Sequence, residues 1–225
     1  MTRIDRRIGS GAAARAARAA LAAALAVASP LALGEEPFAI GCGSLDNAYG
    51  PYDYTNPTHR REKLAIVEGA HFSIDVFELR RGMTATSPLM DIDYTLRAFP
   101  NHHLALDAMA RLHRREGVER FPQNRYSLAC WFERARQWRP DDGMVYLIYG
   151  THLFYLDRLE DAEPVLLKAA ALLPRSAEAH YNLGLLYVRL GNHDEAARWA
   201  EKAYELGAQL PGLREQLARA GVAAR

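Results

Sequence analysis

The amino-acid sequence predicts an all-α protein whose C-terminal half is a short solenoid of about three helical hairpins followed by a capping helix. Three observations favour this architecture. Residues 143–176 and 177–210 align without gaps, so the chain repeats with a period of 34 residues. Small residues recur at fixed places within that period, and turn-forming residues stand near the middle of each copy. Such a period is typical of helical pairs that bury their apolar faces by stacking on their neighbours.

The balance of charge and the cysteine count exclude several classes of function. Lys plus Arg (28) nearly cancel Asp plus Glu (27), so the chain lacks the basic excess of a dedicated nucleic-acid-binding protein. Its two cysteines are too few for a four-thiolate zinc site, and they do not form a Cys-X-X-Cys redox pair or a haem attachment motif. We therefore expect no nucleic-acid partner and no cofactor.

Residues 1–34 are predicted to be a signal peptide. Five arginines precede an uncharged, alanine-rich run at residues 19–33, and two glutamates follow it. The run of 15 residues is too short to span a bilayer core of about 30 Å comfortably, so an uncleaved anchor is the less favoured alternative. Cleavage at either small-X-small triplet, residues 26–28 or 32–34, leaves no transmembrane span in the mature form. Removing residues 1–34 leaves 23 basic and 26 acidic side chains.

This leader predicts an exported protein in the periplasm or at the cell surface. Arg6-Arg7 would suit a twin-arginine signal, but the flanking residues match that signal poorly, and the export route stays open. Residues 39–42 (AIGC) have the form of a lipoprotein cleavage box, which would make Cys42 a lipid anchor. Acidic residues and a proline at 35–37 separate this box from the apolar run, so lipidation is less favoured.

Cys42 and Cys130 are predicted to form a disulfide. A single pair of cysteines in an oxidising, exported compartment most often bridges. The bond would close a loop of about 88 residues, which is worth about 4 kcal/mol in the chain-entropy model. The alternative is a buried free thiol at Cys130 with Cys42 lipidated or unpaired.

Residues 35–100 do not follow the repeat and form a separate, irregular segment. Tyrosines lie there among glycines and prolines. This composition predicts an ordered but irregular segment that is held by the packing of its aromatic rings. Residues 73–81 predict a short helix that Gly82 ends. Residues 91–99 predict a second helix with Asp91 as its N-cap and Pro100 after its end.

The two aligned copies resemble the tetratricopeptide repeat. The matching residues are, in the first copy, Tyr146, Tyr149, Gly150, Leu153, Ala162, Leu166, Ala169 and Pro174, and in the second His180, Leu183, Gly184, Tyr187, Ala196, Ala200 and Ala203. The resemblance implies hairpins whose small residues let paired helices approach closely. Pro164 is tolerable there if its helix begins at about Asp161, because an early position needs no N–H donor.

A third, less regular repeat precedes these two, so that residues 101–225 form one array. Leu106, Met109 and Ala110 have the spacing of a first helix, and Leu128, Phe132 and Ala135 have that of a second. The two counts disagree by six residues, which places an insertion in residues 115–124, where Gly117 and Pro122 break helices. Residues 211–220 predict the polar-faced capping helix that an open stack needs.

Two stretches outside the repeats, GAHFSIDVFELRRG and DIDYTLRAFPNHHLAL, resemble a family of exported proteobacterial proteins. That family pairs such an N-terminal segment with tetratricopeptide repeats and has no established activity. The resemblance covers nearly all of the mature chain and implies export and fold without implying a reaction.

The candidate binding surface is the inner face of the array, formed by the first helix of each hairpin. Its apolar and aromatic middle is flanked by arginines, which is typical of a groove for an extended or helical peptide. The predicted peptide-binding residues are Arg111, Arg115, Met144, Leu147, Thr151, Phe154, Tyr155, Tyr181, Asn182, Leu185 and Arg189, with Arg114 at a neighbouring inner-face position. An alternative is that the N-terminal segment folds into this groove and fills it.

No arrangement of residues predicts catalysis. The chain has no Gly-X-Ser-X-Gly, no phosphate-binding loop and no His-Glu-X-X-His, so we expect no catalytic residues. The alternative function is a metal-binding or metal-dependent protein that uses His71, His102 and His103, but their spacing is not diagnostic and no metal site is predicted. The leading hypothesis is an exported, non-enzymatic scaffold that binds a protein or peptide through its concave face.

Overall fold

The structure, a computed structural model, describes residues 41–222, and the predicted signal peptide lies outside them. Every regular element within this range is helical, as predicted. In chain order the elements are α1 (Pro57–His59), a π-helical turn (Arg60–Leu64), α2 (Ala65–His71), α3 (Ile74–Phe77), α4 (Leu89–Ala98), α5 (His103–Glu116), α6 (Leu128–Trp138), α7 (Gly143–Tyr155), α8 (Leu159–Leu172), α9 (Ala177–Arg189), α10 (His193–Glu205) and α11 (Gly212–Arg219).

The C-terminal helices form the predicted stack of hairpins. Helix α7 pairs with α8, α9 pairs with α10, and α11 packs against both helices of the last pair. A Cβ atom added at Gly150 would lie 2.6 Å from Leu166 Cγ, and one at Gly184 would lie 2.4 Å from Leu213 Cδ2. The small residues therefore lie where helices cross. Ala162 and Ala196 are fully buried at the same seams.

The turns inside the hairpins lie where the sequence places them, but α8 begins earlier than expected. The first turn passes through Asp157, at φ 60°, and the second through Gly191, at φ 74°. Helix α8 begins at Leu159, since the Ala162 amide already donates to the Arg158 carbonyl at 2.9 Å. Pro164 consequently lies inside the helix rather than near its start, and it removes one backbone donor there.

The earlier hairpin, α5 and α6, contains the predicted insertion. Gly117 ends α5 in the left-handed region at φ 66°, and its amide bonds to the His113 carbonyl. The chain then runs without a helix to Ser127, whose hydroxyl caps α6 by accepting from the Cys130 amide at 3.3 Å. Leu128, Phe132 and Ala135 are buried, as their spacing predicted.

Two predictions for the N-terminal segment need correction. Helix α3 is shorter than residues 73–81, because the chain turns after Phe77 and Leu79 adopts φ 59°. Helix α4 begins after Pro88, so Asp91 is not its N-cap. The buried Asp91 carboxylate instead accepts the Met83 amide at 2.7 Å and so holds the loop that precedes its own helix.

The apolar core consists of two large clusters and one small one. The first joins α3 to α6, with Phe132 and Trp131 fully buried. The second joins α7 to α11. Phe132 stacks on Tyr149 of α7 with ring centroids 4.5 Å apart, so the irregular hairpin packs on the regular repeats. Tyr54 and Phe99 belong to the small cluster beneath the tyrosine-rich segment.

Candidate functional site

The inner-face residues lie on α5, α7 and α9 and differ widely in exposure. Of the predicted peptide-binding residues, Leu147 and Tyr181 are buried, Arg115, Tyr155 and Arg189 are exposed, and Arg111, Met144, Thr151, Phe154, Asn182 and Leu185 are half-buried. The part of this face that a partner could contact is thus smaller than the full set. It is concentrated toward the C-terminal ends of the three helices.

Two arginines of α5 are engaged by the N-terminal segment. Arg111 donates to the Phe77 carbonyl at 2.7 Å, and Arg115 donates to the Leu79 carbonyl at 2.9 Å. The Phe77 carbonyl belongs to the last residue of α3, where helices leave acceptors unpaired, and Leu79 lies two residues beyond it. The Arg111 guanidinium also lies 4.7 Å from the centre of the Phe77 ring. The N-terminal segment therefore covers the α5 end of the inner face at these two residues.

Tyr181 supports the capping helix. Its hydroxyl accepts the Leu213 amide at 3.1 Å, in the first turn of α11, and its side chain is 8% exposed. Leu147, on the neighbouring first helix, belongs to the same apolar cluster and is 1% exposed. Both residues thus contribute to the stacking of the hairpins.

The more exposed part of the inner face is a row of two adjacent rings with an arginine at each end. The Arg114 guanidinium lies 4.9 Å from the centre of the Tyr155 ring, and the Arg189 guanidinium lies 5.6 Å from that of Phe154. The two rings meet edge to face at 5.8 Å. Tyr155 is 65% exposed, the largest exposure among the exposed apolar and aromatic side chains of residues 41–222. We call Arg114, Phe154, Tyr155 and Arg189 the arginine–aromatic row.

The two arginines of this row differ in their partners. Arg189 donates to Asp157 at 2.5 Å. Arg114 donates to His152 Nδ1 at 3.1 Å, and no carboxylate within residues 41–222 forms an ion pair with it, whereas its neighbours Arg111 and Arg115 pair with Asp107 and Glu116. Since a guanidinium carries five donors, Arg114 has donors left for an incoming acceptor.

His152, beneath Arg114, is held neutral. Burial and the positive charge of Arg114 lower the pKa of His152 to about 4. Because a guanidinium can only donate, Nδ1 of His152 accepts and the proton of the neutral ring resides on Nε2. The histidine therefore supports Arg114 without adding positive charge at neutral pH.

Comparison with known families agrees with this architecture. The family described as tetratricopeptide repeat matches residues 149–211. These residues are tetratricopeptide repeats. Such repeats stack into solenoids whose concave surfaces bind proteins, so the coarse function that the fold supports is that of a protein-interaction scaffold.

Solved structures that are similar to this one include a crystal structure of MamA. The two sequences are 23% identical, and the similarity covers 60% of this chain and 75% of that chain with a TM-score of 0.47. Comparison with curated proteins finds no match. None of the helices in residues 41–222 combines the length and the apolarity needed to cross a bilayer.

Outside the tetratricopeptide repeats, the predicted disulfide joins the N-terminal segment to α6. Cys42 and Cys130 are bonded, with Cα atoms 5.1 Å apart. Arg134, one turn further along α6, is 1% exposed and donates to the carbonyls of residues 42, 43 and 44. Its guanidinium also stacks on Tyr126 at 4.4 Å. Sequence reasoning missed Arg134, because an arginine on a helix ordinarily faces solvent.

The three histidines of the alternative metal hypothesis each face a different carboxylate. His71 contacts Asp91 at 3.0 Å, His102 contacts Glu68 at 3.1 Å, and His103 contacts Asp142 at 2.8 Å. Within residues 41–222, no group of three His, Cys, Asp or Glu side chains is placed to hold a metal ion. His102 also caps α5 by accepting the Ala105 amide at Nδ1.

A buried polar network connects the N-terminal segment to the tetratricopeptide repeats. Asn101, fully buried, donates to both Asp53 and Asp142 at 2.9 and 2.8 Å. Asp142 in turn caps α7 by accepting the Met144 amide, and Asp53 pairs with Arg139. Burial raises the pKa of the Asp53 carboxyl, but hydrogen bonds from Thr55 and Asn101 lower it more, so this pKa lies below its ordinary value. Asp53 and Asp142 therefore have a structural role, since both carboxylates bind groups of the protein itself.

Proposed function

We propose that the protein is an exported, non-enzymatic scaffold that binds a segment of a partner protein along the arginine–aromatic row. The observation that carries this proposal is the pair of Tyr155 and Arg114. A ring that is 65% exposed stands beside an arginine that has no carboxylate partner within residues 41–222. Aromatic and arginine side chains dominate the energetics of protein interfaces.

The chemistry of the row defines the kind of segment that it accepts. An apolar or aromatic side chain of the partner packs on Phe154 and Tyr155, and a carboxylate of the partner binds the free donors of Arg114. The pairing of arginine with a carboxylate is geometrically specific, because two parallel N–H groups can contact both oxygens. The partner segment is therefore acidic next to an apolar anchor.

Export is supported by the leader and by the cysteines. Five arginines followed by an uncharged run and an acidic pair have the order of a secretory signal. The pairing of Cys42 with Cys130 suits an oxidising compartment, where disulfides persist. The periplasm or the cell surface is the location that we propose.

Affinity capture from the exported fraction tests the proposal. Proteins retained by the wild type and lost from the double variant Phe154→Ala/Tyr155→Ala are identified, and one is purified and measured against each chain. We expect the double variant to weaken binding at least tenfold while its melting temperature falls by no more than a few degrees, because neither ring is buried. Tyr181→Ala is unsuitable, since it would remove support from α11.

Two further variants give this test its specificity. Leu167→Ala changes an exposed side chain on α8, away from the row, and should leave the affinity unchanged. Arg114→Gln should weaken binding and reduce its dependence on salt, because one charge pair is lost. Equal capture by the wild type and the double variant would count against the row as the binding surface.

A further inference from the structure

The N-terminal segment contains a pocket of about 160 Å³ that is separate from the arginine–aromatic row. Its lining side chains come from three places: Tyr49 of the irregular segment, Tyr94 of α4, and Ile66, Val67, Ala70 and His71 of α2. Its wall is aromatic and aliphatic except for the imidazole of His71. No residue of the arginine–aromatic row contributes to it.

His71 is fixed in this wall by two contacts. Its ring stacks on Tyr94 with centroids 3.9 Å apart and planes inclined by 24°. Its Nδ1 lies 3.0 Å from an Asp91 carboxylate oxygen. Stacking and the hydrogen bond together hold the ring in one orientation, so the histidine is preorganised.

Asp91 determines which nitrogen of His71 carries the proton. The carboxylate is fully buried and accepts from the Met83 amide, the Thr84 amide and the Thr84 hydroxyl at 2.7, 3.1 and 2.6 Å. Burial raises the pKa of the Asp91 carboxyl, but hydrogen bonds from Thr84 and His71 lower it more, so this pKa lies below its ordinary value. An ionised carboxylate only accepts, so Nδ1 of His71 is the donor.

The second ring nitrogen of His71 is consequently the one available to a ligand. In the neutral ring, Nε2 carries a lone pair and acts as an acceptor. No hydrogen bond within residues 41–222 engages Nε2, while the side chain is 20% exposed. An oriented acceptor in an apolar wall selects a ligand that brings a donor.

The volume of the pocket matches a single ring. An engineered apolar cavity of about 150 Å³ binds benzene. This pocket has nearly the same volume and is open to solvent on the side of Ile66 and Ala70, which are both exposed. Tyr49 and Tyr94 supply aromatic surfaces against which a ring packs edge to face or offset. We propose that this pocket is a binding site for a single aromatic ring that carries a hydroxyl group, a small phenol, with His71 Nε2 accepting the hydroxyl proton.

Titration of the full chain with phenol, followed by the NMR signals of the His71 ring and of the two tyrosines, tests the site. Anisole serves as the paired probe, because it has the same ring and oxygen but no donor. We expect phenol to bind about tenfold more tightly than anisole, the effect of one hydrogen bond in an apolar wall. Equal binding of the two probes, or no binding of phenol, would overturn the proposal.

Variants on α2 locate the binding. Ala70→Leu places two methyl groups into the pocket without touching the contact between His71 and Asp91, and it should abolish phenol binding. Ala65→Leu is the matched control, the same change at an exposed position of the same helix outside the pocket, and it should leave binding unchanged. Binding that survives Ala70→Leu would show that phenol binds elsewhere.

His71→Phe tests the acceptor. It keeps a ring stacked on Tyr94 and removes both nitrogens, so phenol should lose its advantage over anisole. N-acetyltyrosinamide identifies the source of the ring: binding as tight as that of phenol points to a tyrosyl side chain, and weaker binding points to a free phenol. Retained discrimination in His71→Phe would contradict the role of Nε2.

Discussion

At the scale of single residues, buried polar side chains organise this protein through specific partners. Arg134 binds three successive carbonyls, Asn101 bridges two carboxylates, and His152 accepts from Arg114. Each group would be costly to bury alone, since an unpaired polar group loses its hydration without compensation. Their partners lie between about 40 and 90 positions away in the sequence, and so no local pattern could reveal them.

The neutral state of His152 predicts a dependence of stability on pH. The pKa of about 4 in the folded chain lies below the ordinary value of 6.5, so the unfolded chain binds more protons between these values. The free energy of unfolding therefore falls as the pH drops from 6.5 toward 4. We expect His152 to contribute a loss of about 2 kcal/mol between pH 7 and pH 4.5.

Urea denaturation at the two pH values measures this loss. Burial also lowers the pKa of His102 and His113, so the wild type loses stability from several histidines. The comparison with His152→Gln isolates one of them, because this variant should lose less free energy of unfolding between the two pH values than the wild type. Arg114→Gln should also lose less than the wild type, because the positive charge that lowers the pKa of His152 is gone. If His152→Gln and the wild type lose the same amount, His152 does not titrate as described.

At the scale of helices, the distance of closest approach between the helices of a pair depends on small residues. The repeat pattern in the sequence was sufficient to identify these positions, and Gly150, Ala162, Gly184 and Ala196 lie at the seams as expected. The pattern was less informative about helix ends. Helix α8 begins two residues before the expected position, which leaves Pro164 inside the helix.

Substitution of Gly150 tests the close packing of α7 on α8. A Cβ atom there would lie 2.6 Å from Leu166 Cγ and 3.3 Å from the Leu166 amide nitrogen, so the Leu166 side chain or the helices must shift. We expect Gly150→Ala to lower the free energy of unfolding by about 1 kcal/mol, since overpacking outweighs the helix propensity that alanine adds.

Gly69→Ala is the matched control for this experiment. Gly69 lies in α2, is exposed, and a Cβ atom there would meet nothing within 4 Å. The control should raise the free energy of unfolding by about 0.5–1 kcal/mol, because only the helix propensity changes. A Gly150→Ala variant as stable as Gly69→Ala in urea would show that the contact between α7 and α8 accommodates a methyl group without loss of stability.

At the scale of the whole molecule, one covalent bond and a buried polar network connect the N-terminal segment to the helical array. The disulfide closes 88 residues, from the start of the described chain to α6. Arg134 binds the same residues without a covalent bond, and Asn101 with its two carboxylates connects Asp53 to the start of α7. The irregular segment is thus an integral part of the fold.

Reduction of the disulfide should destabilise the whole chain. The chain-entropy model predicts a loss of about 4 kcal/mol for a loop of this length. Thermal unfolding with and without dithiothreitol measures it, and the double variant Cys42→Ser/Cys130→Ser should not respond to the reductant. The oxidised protein should also have a mass two daltons below the thiol form. Titration of two free thiols in the native, unreduced protein would contradict the bond.

The sequence by itself determined the helical hairpins, their seams and the insertion after α5, because a 34-residue period encodes contacts between neighbouring helices. It predicted the disulfide without excluding free cysteines, since two cysteines allow one pair but need not form it, and the structure shows the bond. The tertiary structure alone decided that Arg111 and Arg115 bind the end of α3, that Arg114 is left without an acidic partner, and that His71 meets Asp91 beside a pocket. Those contacts depend on how non-repeating loops position the N-terminal segment. The conformation of such loops produces no periodic pattern in the sequence, so the contacts could not be predicted from it.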